Sequence, residues 1–270
     1  MAKVIFLMAD YGHDPSETAV PFTAFKEAGF QVTFATENGN VPRCDAKMLE
    51  GVTQMILVRF SSGTPLPSRR STDPVQGAKK AVVAQYKTMA ASPEWNAPAA
   101  WSAPSFGIDG FDLVFLPGGH DKGVRQVIDS PVVHGLLASY FPQTRKPSAK
   151  KAVGAVCHGV MVLSETRRPD GRSVLHGVQT TALPKRFEQL AFWGTRLLLG
   201  DYYKTYGAGS ESVQESVTRV LEKPEDFRNS LAPAPFVVED EGCNYISARF
   251  PGDVDLLGEK LVALVKTITA

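Results

Sequence analysis

A strand-to-helix turn around Cys157 is the feature that most constrains how this chain can fold. Residues 152–156 are small, apolar and β-prone, whereas the apolar residues after Gly159 follow helical spacing. A sharp turn of this kind lifts one side chain above the sheet edge, as in a nucleophile elbow. Cys157 occupies that position and His158 follows it, so a thiol and a candidate base meet at a helix N-terminus, where the dipole favours a thiolate.

The same two residues also suit a purely structural role. A free cysteine is commonly a small buried hydrophobe, and a histidine in a turn is commonly held by its own hydrogen bonds. The Cys157-His158 pair by itself therefore leaves a catalytic and a structural interpretation open.

The N-terminal segment predicts a β-α-β unit. Residues 3–9 form an unbroken apolar run typical of a buried parallel strand, and the turn 10–14 follows it. A helix ending at Gly29 and a second strand over Gln31–Thr36 complete the unit. Such units gather ligands at the carboxyl ends of their strands, so we predict an α/β fold with its site at that edge.

Glu17 lies shortly after the first predicted strand, and two interpretations of it are open. Asp14 is a candidate N-cap with Glu17 as its partner three residues later, which is the pattern of a capping box. Pro21 cannot donate to the Glu17 carbonyl, which favours a helix that begins near Pro21. In that case Glu17 lies on a loop at the same sheet edge as Cys157.

A third apolar run, over residues 111–116, ends in a Pro-Gly-Gly-His turn. Gly118 and Gly119 allow the backbone to approach a bound group closely, and their N–H groups are candidates for an oxyanion site. Pro-Gly-Gly is also an ordinary turn, and His120 suits either a turn or a substrate-binding role.

The C-terminal half continues the alternation of strands and helices. We predict a short strand near 178–180, a helix that begins at Pro184, strands over 237–239 and 244–248, and a closing helix over 253–269 with Asp253 as its cap.

Residues from about 50 to 106 differ in composition from the rest. Six prolines and two exposed-looking tryptophans, Trp95 and Trp101, indicate an insertion, with one helix from Asp73 to about Met89. We interpret this segment as a cap on a single domain spanning 1–270. Its aromatic residues either roof a pocket or simply pack against the domain.

Composition excludes several classes of function. The 270 residues carry a net charge of +1, which leaves no electrostatic footprint for nucleic acid or an anionic membrane. No apolar stretch approaches the roughly 18 residues that a membrane span needs. Three widely separated cysteines indicate a reducing compartment, hence the cytoplasm, and the five histidines show no metal-ligand spacing. We therefore expect neither a metal nor a cofactor.

Four separated segments together resemble the ThiJ/PfpI superfamily, the class I glutamine amidotransferase-like proteins that include the Parkinson-associated protein deglycase. The segments are Phe115–His120, Ala155–Gly159, Glu17 before Val-Pro-Phe, and Asn244–Ser247 with Arg249–Gly252. The Cys-His-Gly sequence and the chain length are most similar to the branch of heat-shock chaperones with glutathione-independent glyoxalase (glyoxalase III) activity. The resemblance implies a flavodoxin-like α/β sandwich.

The resemblance also implies roles for individual residues. Cys157 is the expected nucleophile, His158 its partner, Glu17 the acid that shares a proton with the thiolate, and Glu188 the third member of the triad. The oxyanion donors are expected to be the backbone N–H groups of Gly119 and His158. Asp121 stands where the superfamily often has another glycine, and the compact members of the superfamily lack such an insertion. Both differences affect which substrate is expected more than which chemistry.

The activity that follows is conversion of a 2-oxoaldehyde such as methylglyoxal into a 2-hydroxy acid, without a cofactor. A holdase chaperone, a protein deglycase and a cysteine hydrolase or peptidase are the alternatives, and a homodimer is expected. An amidotransferase would need a histidine well downstream of the elbow, but the last histidine is His176.

Overall fold

A seven-stranded sheet forms the centre of the molecule, in a computed structural model that describes residues 1–49 and 80–270. The strands, with the short strands β2 and β4, are β1 (Lys3–Leu7), β2 (Tyr11–His13), β3 (Gln31–Thr36), β4 (Arg43–Cys44), β5 (Ala99–Ala100), β6 (Leu113–Leu116), β7 (Ala152–Val156), β8 (Val237–Glu239) and β9 (Tyr245–Ala248). The sheet order is β5-β3-β1-β6-β7-β9-β8, while β2 pairs with β4 separately. All neighbours in the large sheet are parallel except β8 and β9. This confirms the predicted α/β fold with a mostly parallel sheet.

Helices pack together in two groups around the sheet. The helices of the described residues are α1 (Pro15–Glu27), α2 (Ala46–Leu49), α3 (Lys80–Ala90), α4 (Pro93–Asn96), α5 (Arg125–Ile128), α6 (Pro131–Tyr140), α7 (Gly159–Glu165), α8 (Lys185–Leu199), α9 (Val213–Thr218) and α10 (Val254–Thr269). Helix α1 packs against α3 and α10, whereas α5, α6 and α9 pack around α7. Within the described ranges, no helix has the length and apolar character needed to cross a bilayer.

A cluster of phenylalanines joins α1 to the strands beneath it. The ring of Phe6 on β1 lies 4.9 Å from those of Phe34 and Phe115 and 5.9 Å from that of Phe25 on α1. All four side chains are fully buried, and burying a side chain of this size stabilises the fold by about 1.5–3 kcal/mol. The cluster therefore fixes the C-terminal half of α1 against β1, β3 and β6.

Helix α1 begins at Pro15, so the alternative of a start near Pro21 is wrong. The Asp14 carboxylate accepts hydrogen bonds from the N–H groups of Ser16 at 2.7 Å and Glu17 at 3.2 Å, which makes it the N-cap. Pro21 lies inside the helix. An interior proline removes one helix hydrogen bond, and the helix tolerates this loss because the capped first turn and the buried phenylalanines hold it on both sides of Pro21.

The described part of the insertion, residues 80–106, extends the sheet edge instead of roofing a pocket. Helix α3 packs against α1, and β5 pairs with β3. Trp95 and Trp101 are buried, which corrects the expectation that they are exposed. The ring of Trp95 packs against Phe34 at 4.9 Å, and the Trp101 indole donates to the Met8 carbonyl at 3.2 Å. The predicted helix start at Asp73 falls in 50–79, outside the described residues.

Two predictions in the C-terminal half need correction. The strand expected near 178–180 does not form, and Thr180 makes only an isolated bridge to Phe227. Asp253 precedes α10 but does not cap it with its side chain. Its carboxylate instead pairs with the buried guanidinium of Arg249 at 2.8 Å, because an enclosed cation requires a charged partner.

Candidate active site

The backbone at Cys157 has the strained geometry of a nucleophile elbow. Its φ of +57° lies in the left-handed region, and it is the one non-glycine residue with positive φ in the described ranges. Such a conformation costs on the order of 1–3 kcal/mol and persists only where packing enforces it. Gly159 supplies that packing, since a Cβ at this position would lie 2.1 Å from the Leu116 carbonyl oxygen. Helix α7 thus presses directly on β6, and Cys157 is held between β7 and α7.

Glu17 reaches the elbow from the first turn of α1. Its Oε2 accepts the Gly118 N–H at 3.0 Å, and the Gly118 carbonyl accepts the Asp14 N–H at 2.9 Å. Glu17 therefore does not close a capping box. A Cβ on Gly118 would lie 2.7 Å from Glu17 Oε2 and 2.8 Å from Cys157 Cβ. Only glycine lets the carboxylate, the turn and the thiol approach this closely.

The Cys157 thiol and the Glu17 carboxyl group lie together in a buried region with little to offset a negative charge. Burial and the adjacent Glu17 charge raise the pKa of Cys157 well above its ordinary value, although the His158 N–H acts in the opposite direction. Burial and the charge of Asp14 likewise raise the pKa of Glu17. Glu17 Oε1 is buried without a hydrogen-bond partner among the described residues. The environment therefore disfavours two negative charges and opposes the effect of the helix N-terminus, which favours a thiolate.

His158 lies against the thiol through its own side chain. Its Nδ1 is 3.4 Å from Cys157 Sγ, so this nitrogen accepts a hydrogen bond from the thiol in the tautomer that leaves it unprotonated. Burial, then the neighbouring His120, then the charge of Lys204 hold the pKa of His158 well below its usual range. The imidazole is therefore neutral and available as a base.

His120 joins the same cluster from the turn after β6. Its ring meets the rings of His158 and Tyr203 edge to face, at 4.8 and 4.7 Å between centroids. Burial lowers its pKa to about 3, and its Nδ1 has no hydrogen-bond partner among the described residues. Its carbonyl accepts the Thr205 hydroxyl at 2.9 Å.

Glu188 is buried in the first turn of α8, and its hydrogen bonds go to Lys204 and Val213. One carboxylate oxygen accepts Lys204 Nζ at 2.8 Å, and the other accepts the Val213 N–H at 2.8 Å. Burial raises the pKa of Glu188 while Lys204 and Val213 lower it. No hydrogen bond of the described residues links Glu188 to His158, so direct orientation of the imidazole stays a prediction.

The segment 202–205 contributes side chains that the sequence analysis did not assign to the site. Tyr203 packs on His120, Lys204 pairs with Glu188, and Thr205 binds the His120 carbonyl. The cluster of three tyrosines between 202 and 206 was the available signal. The cluster alone did not indicate a role in the site, because only the fold brings this segment to the His120 turn.

Three donors of the site also form a candidate metal site. One donor atom each from His120, Cys157 and His158 lies within 4.8 Å of the other two. Spacing along the sequence could not show this group, since β6 and β7 bring together residues that lie 37 positions apart in the chain.

Comparison with known proteins agrees with this architecture. A family model described as ThiJ/PfpI family-like matches residues 8–224. The chain belongs to the ThiJ/PfpI family. The match includes every predicted site residue, from Glu17 to Glu188. An uncharacterized protein of Schizosaccharomyces pombe is 27% identical over 263 residues, which cover 97% of this chain and 84% of that protein.

Solved structures share the fold at low sequence identity. Glyoxalase III from Candida albicans superposes with a TM-score of 0.60 at 15% identity, covering 98% of this chain and 97% of that one. The Francisella tularensis Rapid Encystment Protein 24 kDa superposes with a TM-score of 0.63 at 13% identity, covering 98% and 99%. These likenesses show that the ThiJ/PfpI chain has the flavodoxin-like arrangement expected from its sequence.

Proposed function

We propose that this ThiJ/PfpI protein converts a small 2-oxoaldehyde, such as methylglyoxal, into a 2-hydroxy acid without glutathione. The observation that carries the proposal is the convergence of Glu17, Cys157 and His158 at one strained turn. One side chain supplies a nucleophile, one a neutral base and one a carboxyl group with a raised pKa. That one similarly folded protein is a glyoxalase III makes this chemistry the first to test.

The reaction would begin with addition of the Cys157 sulfur to the aldehyde carbon. The thiol proton passes to Glu17 or His158, the aldehyde oxygen is protonated, and a hemithioacetal forms. His158 then removes the proton from the former aldehyde carbon and returns a proton to the neighbouring ketone carbon. The first carbon is oxidised and the second reduced, so the electrons balance within the substrate, and the product is a thioester of the 2-hydroxy acid.

Water completes the cycle. Attack on the thioester carbonyl expels the Cys157 sulfur and releases the 2-hydroxy acid, and the sulfur regains its proton. Negative charge develops on the substrate oxygen in both addition steps. The N–H groups of Gly119 and His158 are the proposed donors to this oxygen, because both turns end at the sheet edge beside the sulfur.

Burial of the site supports a small substrate. Cys157, His158 and His120 are only 1–3% exposed, and an enclosed site of this kind strengthens electrostatic interactions. Glu188 contributes through Lys204 in this proposal, since the pair fixes the position of the cation whose charge acts on His158.

The test is consumption of methylglyoxal by the purified protein in the absence of glutathione, with chiral detection of lactate. We expect turnover in the wild type and in the Cys243→Ala variant, which changes a buried thiol far from the elbow in sequence. Cys157→Ala should abolish turnover. Cleavage of esters or peptides without 2-oxoaldehyde consumption would assign the same residues to a cysteine hydrolase instead.

A holdase chaperone is the second candidate, and a surface feature favours it. Helix α8 exposes Leu190, Trp193, Leu197 and Leu198, an apolar stripe on one helix. Contiguous exposed apolar surface on a protein commonly marks an interaction site. Suppression of client aggregation at substoichiometric ratios, with no turnover of any small carbonyl, would favour this alternative.

A further inference from the structure

We propose that the side chains of Cys157, His158 and His120 form a binding site for one thiophilic divalent cation of the Zn²⁺ type. The inference concerns the same site as the proposed function and would make that site open to inhibition by metal. Among the described residues, this is the only group of three such donors close enough to hold an ion. All three side chains are buried.

The donor set matches the coordination chemistry of zinc. Zinc binds a cysteine sulfur at about 2.3 Å and a histidine nitrogen at about 2.0–2.1 Å, so in a tetrahedral site sulfur and nitrogen lie about 3.5 Å apart. The observed distance from Cys157 Sγ to His158 Nδ1 is 3.4 Å. The donor atoms lie within 4.8 Å of one another, so the widest pair has to approach by up to about 1.5 Å on binding.

His120 supplies an independent reason to expect a ligand. Its Nδ1 is buried and has no hydrogen-bond partner among the described residues. A buried polar atom without a partner destabilises the folded protein, and a metal ion bound there would remove that cost. The turn that carries His120 is held at the site, because the Thr205 hydroxyl donates to the His120 carbonyl and the ring of Tyr203 packs against the imidazole.

Binding balances without any redox partner. The ion replaces the thiol proton, which is released, and two neutral imidazoles keep their remaining protons. Three protein ligands leave a fourth position for water, which is the pattern of an open zinc site. An occupied site would hold the sulfur that the proposed reaction requires, so zinc should inhibit turnover.

The test uses the metal-free full chain with Zn²⁺ and with Co²⁺ as a spectroscopic probe. We expect one equivalent of Zn²⁺ by competition against a chromophoric chelator. Bound Co²⁺ should show the visible bands of tetrahedral coordination and a sulfur-to-cobalt charge-transfer band. His120→Ala should weaken Zn²⁺ binding by about tenfold or more, because even loss of a residue that only supports a ligand costs 10–100-fold. Cys157→Ser should remove the charge-transfer band.

Matched controls separate this site from adventitious binding. His134→Ala and Cys243→Ser change donors outside the group and should leave the stoichiometry and the spectrum unchanged. Circular dichroism and thermal melting of each metal-free variant show that it is folded. No Zn²⁺ binding at micromolar concentrations, or equal binding in the wild type, His120→Ala and Cys157→Ser, would overturn the proposal. Because the readout is binding, metal binding without methylglyoxal turnover would refute only the proposed function.

Discussion

At the scale of single residues, the Glu17 carboxyl group and the Cys157 thiol oppose each other in one buried space. Burial and the Glu17 charge raise the pKa of Cys157, and the His158 N–H opposes them. Burial and Asp14 raise the pKa of Glu17, whereas the thiol and the Gly118 N–H lower it. A pair of this kind titrates as a unit, so the thiolate forms mainly when Glu17 carries the shared proton.

Replacing Glu17 by Gln should separate its electrostatic and catalytic effects. The pKa of Cys157 should fall, since both the charge of Glu17 and its hydrogen bond to the thiol raise that pKa. Alkylation of Cys157 as a function of pH should therefore shift its inflection to lower pH, with Glu165→Gln, a change at the half-buried C-terminal end of α7, as the control. Turnover should nevertheless fall, because glutamine cannot carry the proton. An unchanged inflection would show that the two groups are not coupled.

A Gly118→Ala substitution tests the close approach at the elbow. The new methyl group would lie 2.7 Å from Glu17 Oε2 and 2.7 Å from the backbone nitrogen of His158, so the carboxylate or the turn has to move. We expect the free energy of unfolding to fall by about 1–3 kcal/mol. Turnover should fall further than the loss of folded protein explains. Gly135→Ala on α6 is the matched control, because nothing lies within 4 Å of its Cβ, and it should stabilise by about 0.5–1 kcal/mol. Thermal melting and methylglyoxal assays on both variants check this, and a normal turnover in Gly118→Ala would contradict the close approach.

The role of a residue could be predicted from the sequence where a few neighbouring residues determine it. Cys157 at a strand-to-helix turn and Gly118 after an apolar run were visible as patterns of a few neighbouring residues. Lys204 was not, since its role depends on Glu188, which lies 16 positions away along the chain in a different element. The pKa direction of Cys157 was missed for the same reason: the helix N-terminus is local, whereas burial and Glu17 come from the fold.

At the scale of elements, the buried pair of Glu188 and Lys204 joins α8 to the segment that leads into α9. Both side chains are almost inaccessible, at 2% and 7%, and Glu188 also receives the first N–H of α9. A buried cation or anion left alone is far less stable than the pair or than two neutral groups.

A double-mutant cycle should show this coupling in the free energy of unfolding. Glu188→Gln and Lys204→Met should each cost about 3–5 kcal/mol, because each leaves one charge buried without its partner. The double variant should cost less than the sum of the two. Lys185→Met is the control, since its pair with Glu215 is 42% exposed on both sides and is worth less than about 1 kcal/mol. Additive effects in denaturant unfolding would show that the two buried side chains act independently.

The strands and helices with a clear period were predicted best. Strands β3 and β7 match the expected residues, and α10 is one residue shorter at its start than expected. The two-residue strand β5 could not be seen, because Ala99 and Ala100 pair with β3 without any alternation of their own. That pairing is also what buries Trp101, whose burial no local pattern indicated.

At the scale of the whole molecule, two surfaces with different chemistry coexist. The site at the carboxyl ends of β1, β6 and β7 is buried and polar, whereas the outer face of α8 is exposed and apolar. Trp193 is 63% exposed and Leu197 fully exposed, so this face is available to another molecule. The expected homodimer stays a prediction, as does the choice between enzyme and chaperone.

Two sets of variants should distinguish those functions. Cys157→Ser should reduce 2-oxoaldehyde turnover by several orders of magnitude, because removing the nucleophile from a catalytic group of residues disables the whole group. It should leave any suppression of client aggregation unchanged, since a single buried thiol supplies no exposed apolar surface. Trp193→Lys combined with Leu197→Lys should do the reverse, as it removes the apolar face of α8 and leaves the elbow intact. Turnover of methylglyoxal and light scattering by a heated client protein, measured on both variants, check the two expectations. If the lysine pair lowered turnover as strongly as Cys157→Ser, the two surfaces would not be separate, and if neither variant changed its assay, both proposed functions would fail.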